Sequence, residues 1–195
     1  MNTERALYLL SIATLLFISG ILYANEGSLK KTYTYSHAPD LNGGEYIRFV
    51  FIGSHSCPFS NNDTTHSMVL FLKEKFKNIA KDNTFNFIST GISVDMNSSY
   101  GFRYLQKTDH YDEIISGASV FNLGAIYYGN GVPSTPTIHL IYESYETELI
   151  GINMANLNSS KASINSYIGM HKIEELYNCA KSSTEQEIID LLTSN

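Results

Sequence analysis

The chain has 195 residues, of which 43% are hydrophobic, and this is enough for one domain with a sizeable core. Its 13 Lys+Arg stand against 19 Asp+Glu, a formal net charge of −6, which argues against nucleic acid, whose phosphates need clustered Lys and Arg. Two cysteines, Cys57 and Cys179, are too few for a disulfide scaffold. Neither they nor His37, His66, His110, His139 and His171 show metal-ligand spacing, so no metal and no cofactor is expected.

In chain order, Ala6 to Ala24 carry no charge after a short polar start. This is the layout of a signal peptide or of a membrane-anchoring helix, and residues 1–24 are read as one or the other. Export is the expected outcome, to a periplasmic or other extracytoplasmic location. Lys30 and Lys31 pull against that orientation by the positive-inside rule. Residues 25–45 read as a linker with a short edge strand at Thr32–Tyr35. Tyr46–Ile52 is an apolar, β-rich run closed by Gly53, and predicts a buried strand.

A turn-like segment, Gly53 to Asn62, precedes a helical stripe of Met68, Val69, Leu72, Phe76 and Ile79. Lys73, Glu74, Lys75 and Lys77 fall largely off that stripe, and Ser60, Asp63 and Thr64 are candidate caps. Phe85–Val94 predicts a second strand. Residues 97–131 read as a helical insert, with helices over Ser99–Lys107 and Tyr111–Tyr128. Ile138–Tyr142 and Glu148–Ile152 predict two more strands around a turn at Glu143–Thr147. Helices are expected over Ser160–Ala180 and Thr184–Leu192. The early strand–helix–strand implies a parallel crossover and the later strand pair an antiparallel hairpin. The fold class is therefore α/β, a mixed four-stranded sheet flanked by helices.

Two segments then stand out together. Cys57-Pro58-Phe59-Ser60 lies between a strand and a helix, and Ser134-Thr135-Pro136-Thr137 leads into a strand. The first resembles the active-site turn of the thioredoxin superfamily and the second its cis-proline loop. The order of elements from Tyr46 to Ala180 is similar to that family, so residues 46–195 are taken as a thioredoxin-like domain. The resemblance implies a cis Thr135–Pro136 peptide beside the Cys57 sulfur. Ser60 stands where the redox-active members usually have a second cysteine, and Ser56 where a tryptophan is common. The glycine of the cluster-binding monothiol glutaredoxins is replaced by Pro58.

A cysteine at a helix start meets unpaired N–H groups and the positive end of the helix dipole, which favour the thiolate that attacks disulfides. Pro58 suits a first helical turn. Ser60 is placed to donate to the sulfur or to cap the helix. His55 is either a source of positive charge or an exposed bystander. Cys57, Ser60 and Pro136 are thus the candidate catalytic residues, and His55, Pro58, Phe59 and Thr135 the candidate substrate contacts. Asp112 and Glu113 are read as surface residues, His139 as a satisfied sheet residue and Cys179 as an ordinary packed thiol. The expected activity is thiol–disulfide exchange through one cysteine, in an exported or membrane-associated protein. Its partners would be protein or peptide thiols and disulfides, with the membrane reached through residues 6–24 if that segment is kept. The alternative is a non-catalytic module that binds a peptide or protein at the cis-proline groove.

Overall fold

The computed structural model describes residues 34–35, 44–129, 134–149 and 155–193. The apolar segment 6–24 and most of the linker lie outside the described residues. Among those described, no helix is long and apolar enough to cross a membrane.

The strands are β1 (Thr34–Tyr35), β2 (Gly44–Gly53), β3 (Asn86–Ser93), β4 (Glu113–Ser116), β5 (Thr137–Leu149) and β6 (Ala155–Ile168). The helices are α1 (Asp63–Asp82), α2 (Ser98–Leu105), α3 (Leu123–Gly129), α4 (Met170–Ser182) and α5 (Glu185–Thr193). Two 3-10 turns, Gln106–Thr108 and Ser119–Phe121, follow α2 and β4 respectively. One six-stranded sheet runs β1-β4-β3-β2-β5-β6. The expected mixed sheet forms one side of it: β2 pairs parallel with β3 and antiparallel with β5, which pairs antiparallel with β6, and the described start of the strand expected at Glu148–Ile152 is the end of β5, so the fourth strand is β6. The sheet is widened by β4, parallel to β3, and by β1, antiparallel to β4.

Alternation along β2 decides what covers each face. Ile47, Phe49 and Phe51 point into the larger cluster, built with Val69, Leu72 and Phe76 of α1, Tyr104 of α2, and Ile173 and Leu176 of α4. Val50 and Ile52 point the other way, into a small cluster with Ile92, Ile141 and Ala125 of α3. The stripe read from the sequence is buried throughout, and Asn62, not the expected Ser60, Asp63 or Thr64, is the N-cap of α1. Asn62 accepts from the Thr65 N–H at 2.9 Å, satisfying one of the helix's open donors.

Three readings of the elements, and that of Lys73, are corrected. The turn expected at Glu143–Thr147 is continuous strand, because β5 pairs with β6 from Thr137 to Leu149. The helix expected from Ser160 starts at Met170, since residues up to Ile168 belong to β6. The helix expected over Tyr111–Tyr128 is interrupted by β4, by the left-handed Ala118 and Ser119, and by a 3-10 turn. Lys73 is buried: its Nζ donates to the carbonyls of Thr108 (3.3 Å) and His110 (2.8 Å) and to Asp109 Oδ2 (3.0 Å), tying the insert to α1.

Glu113, expected at the surface, is part of a buried ionic group on the α3 side of the sheet. Arg48 Nη1 reaches Glu113 Oε2 at 2.6 Å and Arg48 Nε reaches Glu143 Oε2 at 3.0 Å. Thr90 Oγ1 and Tyr145 Oη donate to the same two carboxylate oxygens, at 2.7 and 2.6 Å. Strands β2, β3, β4 and β5 are thereby joined through one guanidinium. Asp112 accepts from the N–H and hydroxyl of Ser89, both at 2.7 Å.

Candidate functional site

The parallel strands β2, β3 and β4 end at the same edge, at Gly53, Ser93 and Ser116. Cys57 lies on the loop leaving that edge. It is not at the start of a helix, as expected from the sequence, because α1 begins only at Asp63. Cys57 instead opens a separate turn, its carbonyl accepting from the N–H groups of Ser60 (3.1 Å) and Asn61 (2.8 Å). Side chains take up the other carbonyls of the loop. Asn61 Nδ2 donates to His55 O at 2.9 Å, Asn62 Nδ2 to Pro58 O and Phe59 O at 3.1 and 2.9 Å, and Tyr104 Oη to Ser60 O at 3.2 Å.

The approach to the turn hangs from Asp95. This buried carboxylate accepts from Ser54 Oγ (2.8 Å), the His55 N–H (2.8 Å), the Ser56 N–H (3.3 Å) and Ser93 Oγ (2.6 Å). Burial alone would raise the Asp95 pKa, but hydrogen bonds from Ser93, His55, Ser54 and Ser56 outweigh it, and the carboxyl lies below its ordinary range.

The Thr135–Pro136 peptide is cis, as the resemblance implied, and the Cys57 thiol donates to the Thr135 carbonyl at 3.5 Å. The loop is fixed from the other side as well. The Gly169 N–H, just before α4, donates to Pro136 O at 2.8 Å, and Thr137 Oγ1 donates to Ser134 O at 2.8 Å. Pro136 is buried and Cys57 is half-buried. Burial pushes the Cys57 thiol up, and its bond to the Thr135 carbonyl also favours the protonated form. The hydroxyls of Thr135 and Ser60 and the N–H groups of Ser60 and Phe59 act the other way and prevail, so its pKa lies below the ordinary thiol value. Ser60 Oγ is fully buried in the same turn and has no hydrogen-bond partner among the described residues.

The candidates therefore divide. Cys57, Ser60, Thr135 and Pro136 come together. Pro58 and Phe59 form the exposed lip of the turn. His55 enters through its backbone, while its exposed ring lies over Tyr100 with centroids 6.1 Å apart. Asp95, Tyr104, Asn61 and Asn62 are the supports that sequence reasoning missed. His66 is a further one: it is buried beside Tyr104, its Nε2 makes no hydrogen bond, and burial holds its pKa below the usual value. His139 donates or accepts at Nδ1 with Ser166 Oγ, 2.8 Å away. Cys179 is a free thiol on α4, its Sγ 3.4 Å from Ser183 Oγ, beside Phe76, Tyr167 and Ile188. Among the described residues no three His, Cys, Asp or Glu side chains are grouped to hold a metal ion.

A parallel strand–helix–strand unit, an antiparallel strand pair closed by a helix, and a cysteine turn lying on a cis-proline loop define a thioredoxin-like fold, here with one cysteine in the turn. No protein-family model and no curated protein sequence matches this chain. Three solved structures are similar in fold. Copper-bound ScoI of Arabidopsis thaliana is 14% identical, over 80% of this chain and 96% of that one, with a TM-score of 0.39. A thioredoxin-related protein of Neisseria meningitidis serogroup B is 16% identical, over 77% and 100%, with a TM-score of 0.36. StoA of Bacillus subtilis is 10% identical, over 71% and 84%, also with a TM-score of 0.36. These likenesses are distant, and the fold assignment stands on the topology and on the Cys57–Thr135 contact.

Proposed function

We propose that the protein carries out thiol–disulfide exchange through Cys57 alone, at an exported or membrane-associated location set by residues 6–24. The observation that carries this reading is the half-buried Cys57 thiol over the cis-proline loop, with the Ser60 hydroxyl buried in the same turn. The Cys57 thiolate attacks one sulfur of a client disulfide. The new bond is the Cys57 mixed disulfide, and the bond broken is the client's S–S, whose other sulfur leaves as a thiolate and takes up a proton from water. Ser60 cannot release the client as a second cysteine would. A second thiolate, from another cysteine of the client, attacks the mixed disulfide and returns Cys57. With the client's own thiol the sequence is an isomerisation with no net oxidation or reduction. Pairing with an extended peptide is confined to the residues ahead of Thr137, because β5 is bonded to both β2 and β6 from there on.

The test is a trapping gel beside a disulfide-reduction assay on the full chain. Wild type is expected to accumulate mixed disulfides through Cys57, and Cys57→Ala none. Ser60→Cys is expected to form a reversible disulfide with Cys57 and to gain reductase activity with a dithiol. Wild-type chains that trap nothing, with the fold intact, would replace this reading by the non-catalytic binding module.

A further inference from the structure

We propose that the apolar surface formed by Val120, Phe121, Leu123, Ile126 and Tyr127 seats the domain on the lipid interface of a membrane, with the Cys57 turn at the same edge. The inference rests on the membrane association proposed above. It begins from a surface that is held outward by construction. Val120 is 54% exposed, Phe121 75% and Leu123 68%. Leu123, Ile126 and Tyr127 are three and four residues apart on α3 and share one face. Soluble monomers rarely leave large apolar side chains exposed in such a group.

The backbone before this surface takes a conformation that L-residues seldom adopt. Gly117, Ala118 and Ser119 have φ of 104°, 61° and 49° in succession. Asn122, fully buried, fixes the segment behind: its Nδ2 donates to Ser93 O (3.1 Å) and Gly117 O (2.8 Å), and its Oδ1 accepts from the Ala125 N–H (3.0 Å). The chain thus pins a polar side chain inside and turns Val120 and Phe121 out. Residues in rare backbone conformations persist where the surroundings over-determine them, and such places concentrate at functional surfaces.

Charge and connectivity select a bilayer as the occupant. From Ile114 to Tyr142 there is no Asp, Glu, Lys or Arg, in a chain whose net charge is −6. Apolar side chains within an uncharged run, a Phe and a Tyr among them, suit the interfacial zone, where aromatic rings settle and apolar faces bury. The register of β1 then places the tether. Thr34 pairs antiparallel with Ser116, and Tyr35 with Ile115, so the N-terminal end of β1 lies at Ser116, next to Gly117, where the apolar surface begins. The uncharged run ends at Ala24, ten residues before Thr34, and ten residues span at most roughly 35 Å. In this proposal an anchor at residues 6–24 tethers the domain at the sheet edge where this surface begins.

The chain has no tryptophan, which permits a direct reading. Full chains carrying Leu123→Trp, or Ser182→Trp at the far end of α4 against the opposite sheet face, are reconstituted in phosphatidylcholine vesicles containing brominated lipid. The expected result is quenching at least threefold stronger for Leu123→Trp, with a blue-shifted emission. Adding Val120→Glu and Phe121→Glu should remove the difference while the chain still floats with the vesicles; Val120→Glu alone serves if the double change unfolds the protein. Equal quenching at the two positions in chains that float would overturn the docking and leave the surface to a protein partner. Chains that do not float would overturn the membrane association, and the docking with it.

Discussion

The Asp95 carboxylate accepts from Ser54 Oγ at 2.8 Å, so the loop that carries Cys57 is held by a charge at the end of the neighbouring strand. Ser93, His55 and Ser56 also donate to the same group, all of them from within the protein. An amide in its place would present an N–H₂ to donors. Asp95→Asn is expected to lower stability by about 2–3 kcal/mol, the usual scale for a buried hydrogen-bonded charge that loses its partners. The pH dependence follows from the sign of the shift. Asp95 has its pKa lowered on folding, so its stabilisation is complete above the ordinary Asp range near about pH 4 and is lost as pH falls through the lowered value. Denaturant melts of both proteins from about pH 2 to 7 check this: the gap between them should close on the acid side.

Ser60→Ala removes the one side-chain hydroxyl within the turn that favours the Cys57 thiolate. The Cys57 pKa is expected to rise, and alkylation by iodoacetamide near pH 7 to slow several-fold, on the order of 3- to 10-fold. The measurement is the pH profile of the alkylation rate, whose midpoint should move upward with the plateau rate little changed. An unmoved midpoint would mean that the Thr135 hydroxyl and the N–H groups of Phe59 and Ser60 are sufficient by themselves.

Arg48→Met strands Glu113 and Glu143 without their shared cation on the α3 side of the sheet. Removing one member of a buried ionic group costs about 3–5 kcal/mol, mostly through the charge left behind. Adding Glu143→Gln to Arg48→Met should recover part of that loss. Equilibrium unfolding of the single and double variants, compared as a cycle, isolates the coupling.

Gly53→Ala tests the packing beneath the site. A Cβ at Gly53 would overlap Tyr104 Oη and lie 2.8 Å from its ring. Tyr104 is fully buried and cannot swing away. Overpacking of this kind costs about 1–3 kcal/mol. Because Tyr104 donates to Ser60 O, Cys57 reactivity should change along with stability, which alkylation kinetics would show.

Strand β2, helix α1 and the two facing segments, Cys57–Ser60 and Ser134–Thr137, were legible because each has a local signature: an apolar run, a helical stripe, a proline turn. β6 was not. Ser160–Ile168 is rich in Ser and Asn, and its strand character comes from pairing with β5 rather than from composition. β4 is four residues long and was hidden within an expected helix. Asp95 carries no motif at all, since its loop donors lie 39 to 41 residues away along the chain. The helix start showed three plausible caps; the choice of Asn62 is decided by what its amide reaches on the other side.

That choice ties two events together. Asn62 Oδ1 receives the Thr65 N–H of α1, while its Nδ2 holds the carbonyls of Pro58 and Phe59. Thr65 adds a second link, its Oγ1 donating to Phe59 O at 2.7 Å. A fraying first turn of α1 would release the cysteine loop, and an opening loop would uncap the helix. The two therefore belong to one cooperative unit, and amide exchange at Ser60 and Thr65 should proceed with the same opening free energy. The Cys57 turn is therefore bonded into the first turn of the helix that follows it, and its position is set by the fold itself.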